Sequence, residues 1–280
     1  MQFEPVGNEA MAVLIVGTIL MILAPVAIAL VWKIKKKERF TTVLVGAASF
    51  IVFALFLEKI IQAIVIMPTS LGLPESGLST FLNANPIIWS LVVGLFPGIF
   101  EETGRLVAFK TLLRNRKNKE TAISYGLGHG GIEVIMILGV TYIGNIVLAI
   151  MINAGEFQSI VDSVAAQAPD QVGTITALAA QLSALTFAEF GLAVVERIFA
   201  VLFHIGASIL VFYACRDSKK IWLYPLAIII HTAMDFVAGL YSAGVLVVPV
   251  WGLEIIMAVF GLAVFAWAYL GIYRKDNASG

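Results

Sequence analysis

The pattern of hydrophobic and polar positions is dominated by seven long apolar segments. Each has about twenty residues or more, the length that an α-helix needs to cross roughly 30 Å of hydrocarbon. Short polar or charged connections separate them, so the pattern predicts an all-α membrane bundle of about seven transmembrane helices. The predicted spans are residues 9–32, 41–67, 86–110, 120–152, 180–214, 221–243 and 249–273.

Two of these spans, the fourth and the fifth, are longer than a bilayer requires. We therefore expect a tilt, a break or a re-entrant piece in each. Between them, residues 155–172 mix acidic and apolar positions, which is typical of a short amphipathic helix at a membrane surface. Small residues allow close helix packing or a local kink, and the fourth span contains four such candidates: Gly126, Gly128, Gly130 and Gly131.

Basic residues occur only in alternate connections of the predicted bundle. Lys and Arg are found in residues 33–39, 113–119, 215–220 and 273–275, whereas the other three connections contain neither. By the positive-inside rule, the basic connections are cytoplasmic. We therefore predict an outside N-terminus and a cytoplasmic C-terminus. The predicted protein is a single integral membrane domain, residues 1–280, in a prokaryotic cytoplasmic membrane.

The composition agrees with this picture and excludes other classes of protein. Hydrophobic residues make up 60% of the 280-residue chain and charged residues 13%, which is far from the average of soluble domains. A formal net charge of zero argues against nucleic acid as a partner. The single cysteine, Cys215, excludes an internal disulfide framework. Composition leaves the oligomeric state open.

Ionisable side chains are rare in the predicted helices, and all three histidines of the chain are among them. Charged groups inside a bilayer are costly and usually face a protein interior or a water-filled cavity. For Glu58 and Lys59, for Glu189 and for Glu254, we expect only a packing pair or a position near the outer face. The candidates for function are Glu101, Glu102, Arg105, His129, Glu133, Glu196, Arg197, His204, His231 and Asp235.

These candidate residues lie at similar depths in their helices, which places them in one layer of the membrane. His129 lies about ten residues from the cytoplasmic end of its helix, roughly 15 Å at 1.5 Å per residue and near the bilayer midplane. The Glu101–Glu102 pair, His204 and His231 lie at a similar depth in three other helices. Several pairs are spaced i, i+4, so each helix turns one polar stripe inward. These pairs are Glu101–Arg105, His129–Glu133 and His231–Asp235.

Four short motifs resemble those of the YhfC family of intramembrane metalloproteases, which is related to the CAAX prenyl endopeptidases, the bacteriocin-immunity-type proteases and the PrsW type. They are E-E-x-x-R at 101–105, G-H-G-x-x-E at 128–133, E-R followed by F-H at 196–204, and H-x-x-x-D at 231–235. In the CAAX group the arginine comes one residue later and the phenylalanine precedes the histidine by four. These departures favour the YhfC branch.

The resemblance implies an intramembrane endopeptidase whose hydrated site opens toward the cytoplasm or sideways to lipid. Three protein ligands with one open position are typical of catalytic zinc. Glu101 or Glu102 is then the expected general base, and Arg105 or Arg197 stabilises an oxyanion or pairs with a carboxylate. Glu133, Asp235 and Glu196 are expected to orient the ligands or add to them. The expected zinc ligands are His129, His204 and His231.

Other classes of function use the same residues. A proton or cation transporter could employ these carboxylates and histidines as a relay, although the sequence shows no repeated halves. An inactive membrane scaffold or a purely structural polar network is a further alternative. The expected partners are membrane lipids and a membrane-embedded or lipidated peptide substrate.

Overall fold

The computed structural model describes residues 3–276, and every regular element in that range is helical. Within that range, seven helices are long and apolar enough to cross a membrane, which confirms the predicted all-α bundle, and three shorter α-helices lie in the connections. In chain order the helices are α1 (Asn8–Lys36), α2 (Phe40–Ile66), α3 (Gly77–Ala84), α4 (Pro86–Lys110), α5 (Glu120–Asn153), α6 (Phe157–Gln167), α7 (Val172–Ser183), α8 (Phe187–Arg216), α9 (Leu223–Ser242) and α10 (Val250–Tyr273).

Of the two overlong spans, the fifth is broken, as expected, and the fourth is continuous but contains a π-helical turn. The predicted fifth span, 180–214, is divided between α7 and α8. Its break is explained by a capping box, because the backbone N–H of Thr186 donates to the Glu189 carboxylate and the Glu189 N–H donates to the Thr186 hydroxyl. In the fourth span, α5 contains a π-helical turn over Ile135–Gly139. The amphipathic helix predicted for 155–172 is α6.

The helices belong to two compact units. One comprises the chain up to Val26 together with Val134–Val195, and the other comprises Ala27–Glu133 and the chain from Glu196 onward. In the first unit, the Asn153 side chain fixes the backbone of Val6 with one hydrogen bond of 2.8 Å and one of 3.0 Å. We call the second one the site unit, because it contains all ten candidate residues for function.

Within the site unit, glycines let helix backbones approach closely. A Cβ atom at Gly128 of α5 would lie 1.9 Å from the carbonyl oxygen of Val43 in α2. At Gly126, on the other side of α5, it would lie 2.7 Å from the Cα of Ile205 in α8. The expectation of close packing at these glycines is confirmed, and α5 is held between α2 and α8.

A packed apolar core fills the end of the site unit where α4 and α8 finish and α5 begins. Phe109 lies at its centre, with ring centroids 4.7 Å from Tyr125 and 5.4 Å from Phe212. Ile209 and Leu210 of α8 are fully buried in the same cluster. The basic connections lie at this end of the site unit, so the apolar core separates them from the polar candidate residues.

Candidate active site

Six of the candidate residues form one buried cluster between four helices of the site unit. Each of the six side chains is buried. The sequence-based expectation that four helices bring these side chains to one layer agrees with this arrangement. We call it the inner cluster: Glu101, Glu102 and Arg105 of α4, His129 of α5, His204 of α8 and His231 of α9.

Arg105 and Glu102 make a buried ion pair at the base of the cluster. The Arg105 Nη1 lies 2.6 Å from Glu102 Oε1, and its Nε donates to the Ser208 hydroxyl at 3.3 Å. The same Glu102 oxygen lies 2.7 Å from His231 Nδ1. Glu102 and Arg105 both have fully buried side chains. Glu102 Oε2 is buried and, among the described residues, has no hydrogen-bond partner. The contacts of Oε1 with Arg105 and His231 are suited to hold the cluster together.

The tautomer of His204 follows from its two neighbours. Its Nδ1 lies 2.6 Å from Arg105 Nη2, and a guanidinium has only donors, so Nδ1 is the acceptor. Nε2 then carries the proton and directs its N–H at the carboxylate of Glu133. A metal ion would therefore bind His204 at Nδ1, in place of the contact with Arg105 Nη2, while Glu133 orients the ring through Nε2–H, as is common for metal-binding histidines.

Glu101 lies at the point where the cluster converges. Its Oε2 is 2.8 Å from His129 Nε2, 3.8 Å from His204 Nδ1 and 3.9 Å from His231 Nε2. Arg105 Nη2 is 3.7 Å from the same oxygen. The Glu101 side chain is 8% exposed, whereas that of Glu102 is 0% exposed. Of the two adjacent carboxylates, Glu101 is thus the one that lies near all three histidines and retains some exposure, whereas Glu102 contacts only His231 among them.

The donor atoms around Glu101 fit a metal ion. Glu101, His129 and His204 each offer one ligand atom, and these atoms lie within 4.8 Å of one another. Ligands about 2.0 Å from a tetrahedral zinc ion are about 3.3 Å apart. The Glu101–His129 contact, at 2.8 Å, would widen and the Glu101–His204 contact, at 3.8 Å, would contract to hold such an ion. His129 Nδ1 is buried and, among the described residues, has no hydrogen-bond partner. The set contains Glu101 where the sequence suggested His231; the three-histidine set stays a prediction.

A second set of charged side chains lies one to two helical turns beyond the inner cluster. Arg197 is central to it, because its Nη1 is 3.0 Å from Glu133 Oε1 and its guanidinium also pairs with Glu196. Through Glu133 this set reaches His204. On α9, Asp235 Oδ2 lies 3.3 Å from His231 Nε2. We call Glu133, Glu196, Arg197 and Asp235 the outer layer.

Solvent exposure increases from the inner cluster to the outer layer. The side chain of His129 is 0% exposed, that of Glu133 is 12% exposed and that of Asp235 is 30% exposed. The opposite side of the inner cluster is filled by the apolar core around Phe109. The more exposed polar side chains next to the inner cluster are therefore those of the outer layer, away from the basic connections. The expected opening toward the cytoplasm or sideways to lipid stays a prediction.

Two neighbours of the site were not among the candidates for function. Glu58 forms the expected pair with Lys59, at 2.8 Å, but it is also buried and interacts electrostatically with Glu101 and His231. A π-helical segment, Ile51–Glu58, sets its direction, and no sequence pattern reveals such a segment. Ser208, by contrast, lies four residues after His204 on the same stripe of α8, a spacing that could have been recognised.

Comparisons with known proteins agree with the character of the site. Residues 20–257 match the profile of a family described as YhfC intramembrane metalloprotease. The chain is 28% identical over 262 residues to a Bacillus subtilis (strain 168) protein named "Uncharacterized membrane protein YhfC", covering 94% of this chain and 96% of the relative. No solved structure matches the chain.

Proposed function

Because this chain belongs to the YhfC intramembrane metalloprotease family, we propose that it is a metal-dependent endopeptidase of the prokaryotic cytoplasmic membrane. Its substrate is a membrane-embedded or membrane-proximal peptide. The observation that carries the proposal is the convergence of Glu101, His129 and His204 on one buried point. A carboxylate with two imidazoles is a ligand set of catalytic zinc sites that hydrolyse peptides.

The inner cluster supplies the ligands. Zinc held there by Glu101, His129 and His204 would contribute Lewis acidity toward a carbonyl and an acidified water. Glu133 keeps the His204 ring in place by pairing with its Nε2–H, so that Nδ1 is the nitrogen that would hold the metal. Arg105, anchored on Glu102, presents a second nitrogen 3.7 Å from Glu101 and so brings positive charge to the place where an oxyanion would develop.

His231 is the group best placed to move a proton. Its Nδ1 side is fixed by Glu102, while its Nε2 lies between Asp235 and Glu101, at 3.3 Å and 3.9 Å. Asp235 is the most exposed member of the outer layer and connects this nitrogen to solvent. We therefore propose that His231, with Asp235, delivers a proton to the leaving amine. The sequence-based assignment differs, with Glu101 as the base and His231 as a ligand.

Metal content and turnover together separate these two assignments. The measurement is elemental analysis of purified protein, paired with cleavage of a membrane-peptide library in liposomes. If Glu101 is a ligand, Glu101→Gln loses most of its zinc; if Glu101 is the base, zinc stays and turnover falls by about 10²–10⁴-fold. His231→Gln should retain zinc if Glu101 is the ligand. It should lose zinc if Glu101 is the base and His231 is a ligand. Glu75→Gln, in an exposed connection, is the control.

The same experiment tests the function itself. Replacement of His129 or His204 by Ala should remove most of the metal and abolish cleavage, since a neutral imidazole is a good zinc ligand. Full metal content and unchanged cleavage in both variants would overturn the proposal. Ion flux across sealed vesicles that depends on Glu101, without any peptide cleavage, would favour the transporter.

A further inference from the structure

A groove runs into the site unit at the end that carries the basic connections. It lies between α1, α5 and α10, has a volume of about 760 Å³ and is open along one side. Its wall and floor are mostly apolar, with Ile28 and Trp32 from α1, Leu127 from α5, Ile205 from α8 and Phe265 from α10. The volume falls in the range of pockets that bind small molecules.

The groove extends through about one leaflet of a bilayer. Leu127 lies seven residues after the first residue of α5, and Ile205 eleven residues before the last residue of α8. At 1.5 Å per residue these positions are roughly 10 Å and 16 Å from the charged helix ends, against a hydrocarbon core of roughly 30 Å. The apolar part of the groove thus has the length of an acyl chain in one leaflet.

The rim of the groove is strongly basic. Lys119 donates to the carbonyl oxygen of Asp276 and lies 5.1 Å from the ring centroid of Tyr273, so it has a structural role. Lys35 and Arg274 are exposed, and neither side chain makes an ion pair or hydrogen bond among the described residues. Four cations and one acid contribute to this rim: Lys35, Lys36, Lys119, Arg274 and Glu120.

We propose that this groove binds one anionic glycerophospholipid. The headgroup phosphate would lie between Lys35 and Arg274, with Trp32 and the tyrosines of α10 at the level of the glycerol, where amphipathic rings are favoured. One acyl chain would pack along Ile28, Leu127 and Ile205. An apolar groove at this depth excludes water, and a basic pocket between transmembrane helices selects a lipid with net negative charge over a zwitterionic one.

Lipid binding in the groove can be distinguished from binding to a merely basic surface by matched double variants. Lys33 and Lys275 lie in the same two segments as Lys35 and Arg274 but do not line the groove. The double variant Lys33→Gln/Lys275→Gln therefore removes as much charge from the same end of the protein as Lys35→Gln/Arg274→Gln. A third variant, Ala27→Phe, fills the apolar part of the groove and leaves every charge in place.

The experiment is native mass spectrometry of the full-length protein released from vesicles of phosphatidylcholine and phosphatidylglycerol with matched acyl chains. Wild type should retain one phosphatidylglycerol in preference to phosphatidylcholine. Lys35→Gln/Arg274→Gln should weaken that retention about thirtyfold, the equivalent of about 1 kcal/mol for each basic residue.

The control double variant, Lys33→Gln/Lys275→Gln, should retain phosphatidylglycerol as wild type does, whereas Ala27→Phe should lose it. Equal retention of both lipids by wild type would overturn the proposal. So would equal loss in the groove and control double variants, since diffuse surface charge would then explain binding.

Discussion

At the scale of single residues, two adjacent carboxylates have different surroundings. Neighbouring positions on a helix point about 100° apart, so Glu102 faces Arg105 and His231 while Glu101 faces the convergence point of the histidines. The Glu102 side chain is fully buried and pairs with both Arg105 and His231 through one oxygen, whereas the Glu101 side chain retains some exposure. We infer a structural role for Glu102 and a chemical role for Glu101.

This division of roles predicts different effects on stability. Glu102→Gln leaves the fully buried Arg105 guanidinium without its nearest countercharge, at 2.6 Å in the wild type. Removing one partner of a buried ion pair costs about 3–5 kcal/mol. Glu101→Gln should cost less, because Glu101 is 3.7 Å from Arg105 and partly exposed. Urea unfolding in detergent measures both, and equal losses in the two variants would contradict the assignment.

At the scale of helices, α5 depends on a glycine for its position. The Cβ of Gly128→Ala would meet the backbone oxygen of Val43 at 1.9 Å, which forces α5 and α2 apart. Overpacking of this kind costs about 1–3 kcal/mol or more. Gly144→Ala is the matched control in the same helix, because nothing lies within 4 Å of its Cβ.

The control should be neutral or stabilise the helix by up to about 1 kcal/mol, since alanine is the better helix former. Thermal unfolding followed by tryptophan fluorescence measures both variants. A Gly128→Ala protein as stable as wild type would show that the close α2–α5 contact is not required.

Much of the helical architecture could be predicted because it depends on local properties. Apolar length determines the spans, and the i, i+4 spacing of His129 with Glu133 indicates which stripe faces inward. The direction of Glu58 could not be predicted, since the π-helical segment Ile51–Glu58 adds a residue to each turn and rotates every later position. The contact of Glu101 with His129 likewise depends on how two helices are rotated, which common depth does not specify.

At the scale of the whole molecule, charge is distributed unequally between the two ends of the spans. Basic residues occupy one set of connections, and the groove with its cationic rim lies at that end. The outer layer, with Glu133, Glu196 and Asp235, is displaced from the inner cluster toward the other end. If the basic end is cytoplasmic, polar access to the inner cluster is from the outer face.

The orientation of the helix bundle in the membrane can be tested by labelling introduced cysteines. Single cysteines are introduced into a Cys215→Ala background at three exposed connection residues: Glu75, Gln167 and Lys117. Because Lys and Arg are absent from the first two connections and frequent in the third, the positive-inside rule predicts labelling of the first two by an impermeant thiol reagent in intact cells. The Lys117→Cys variant should react only after permeabilisation. The reverse pattern would place the outer layer, and with it the route of a substrate to Glu101, on the cytoplasmic side.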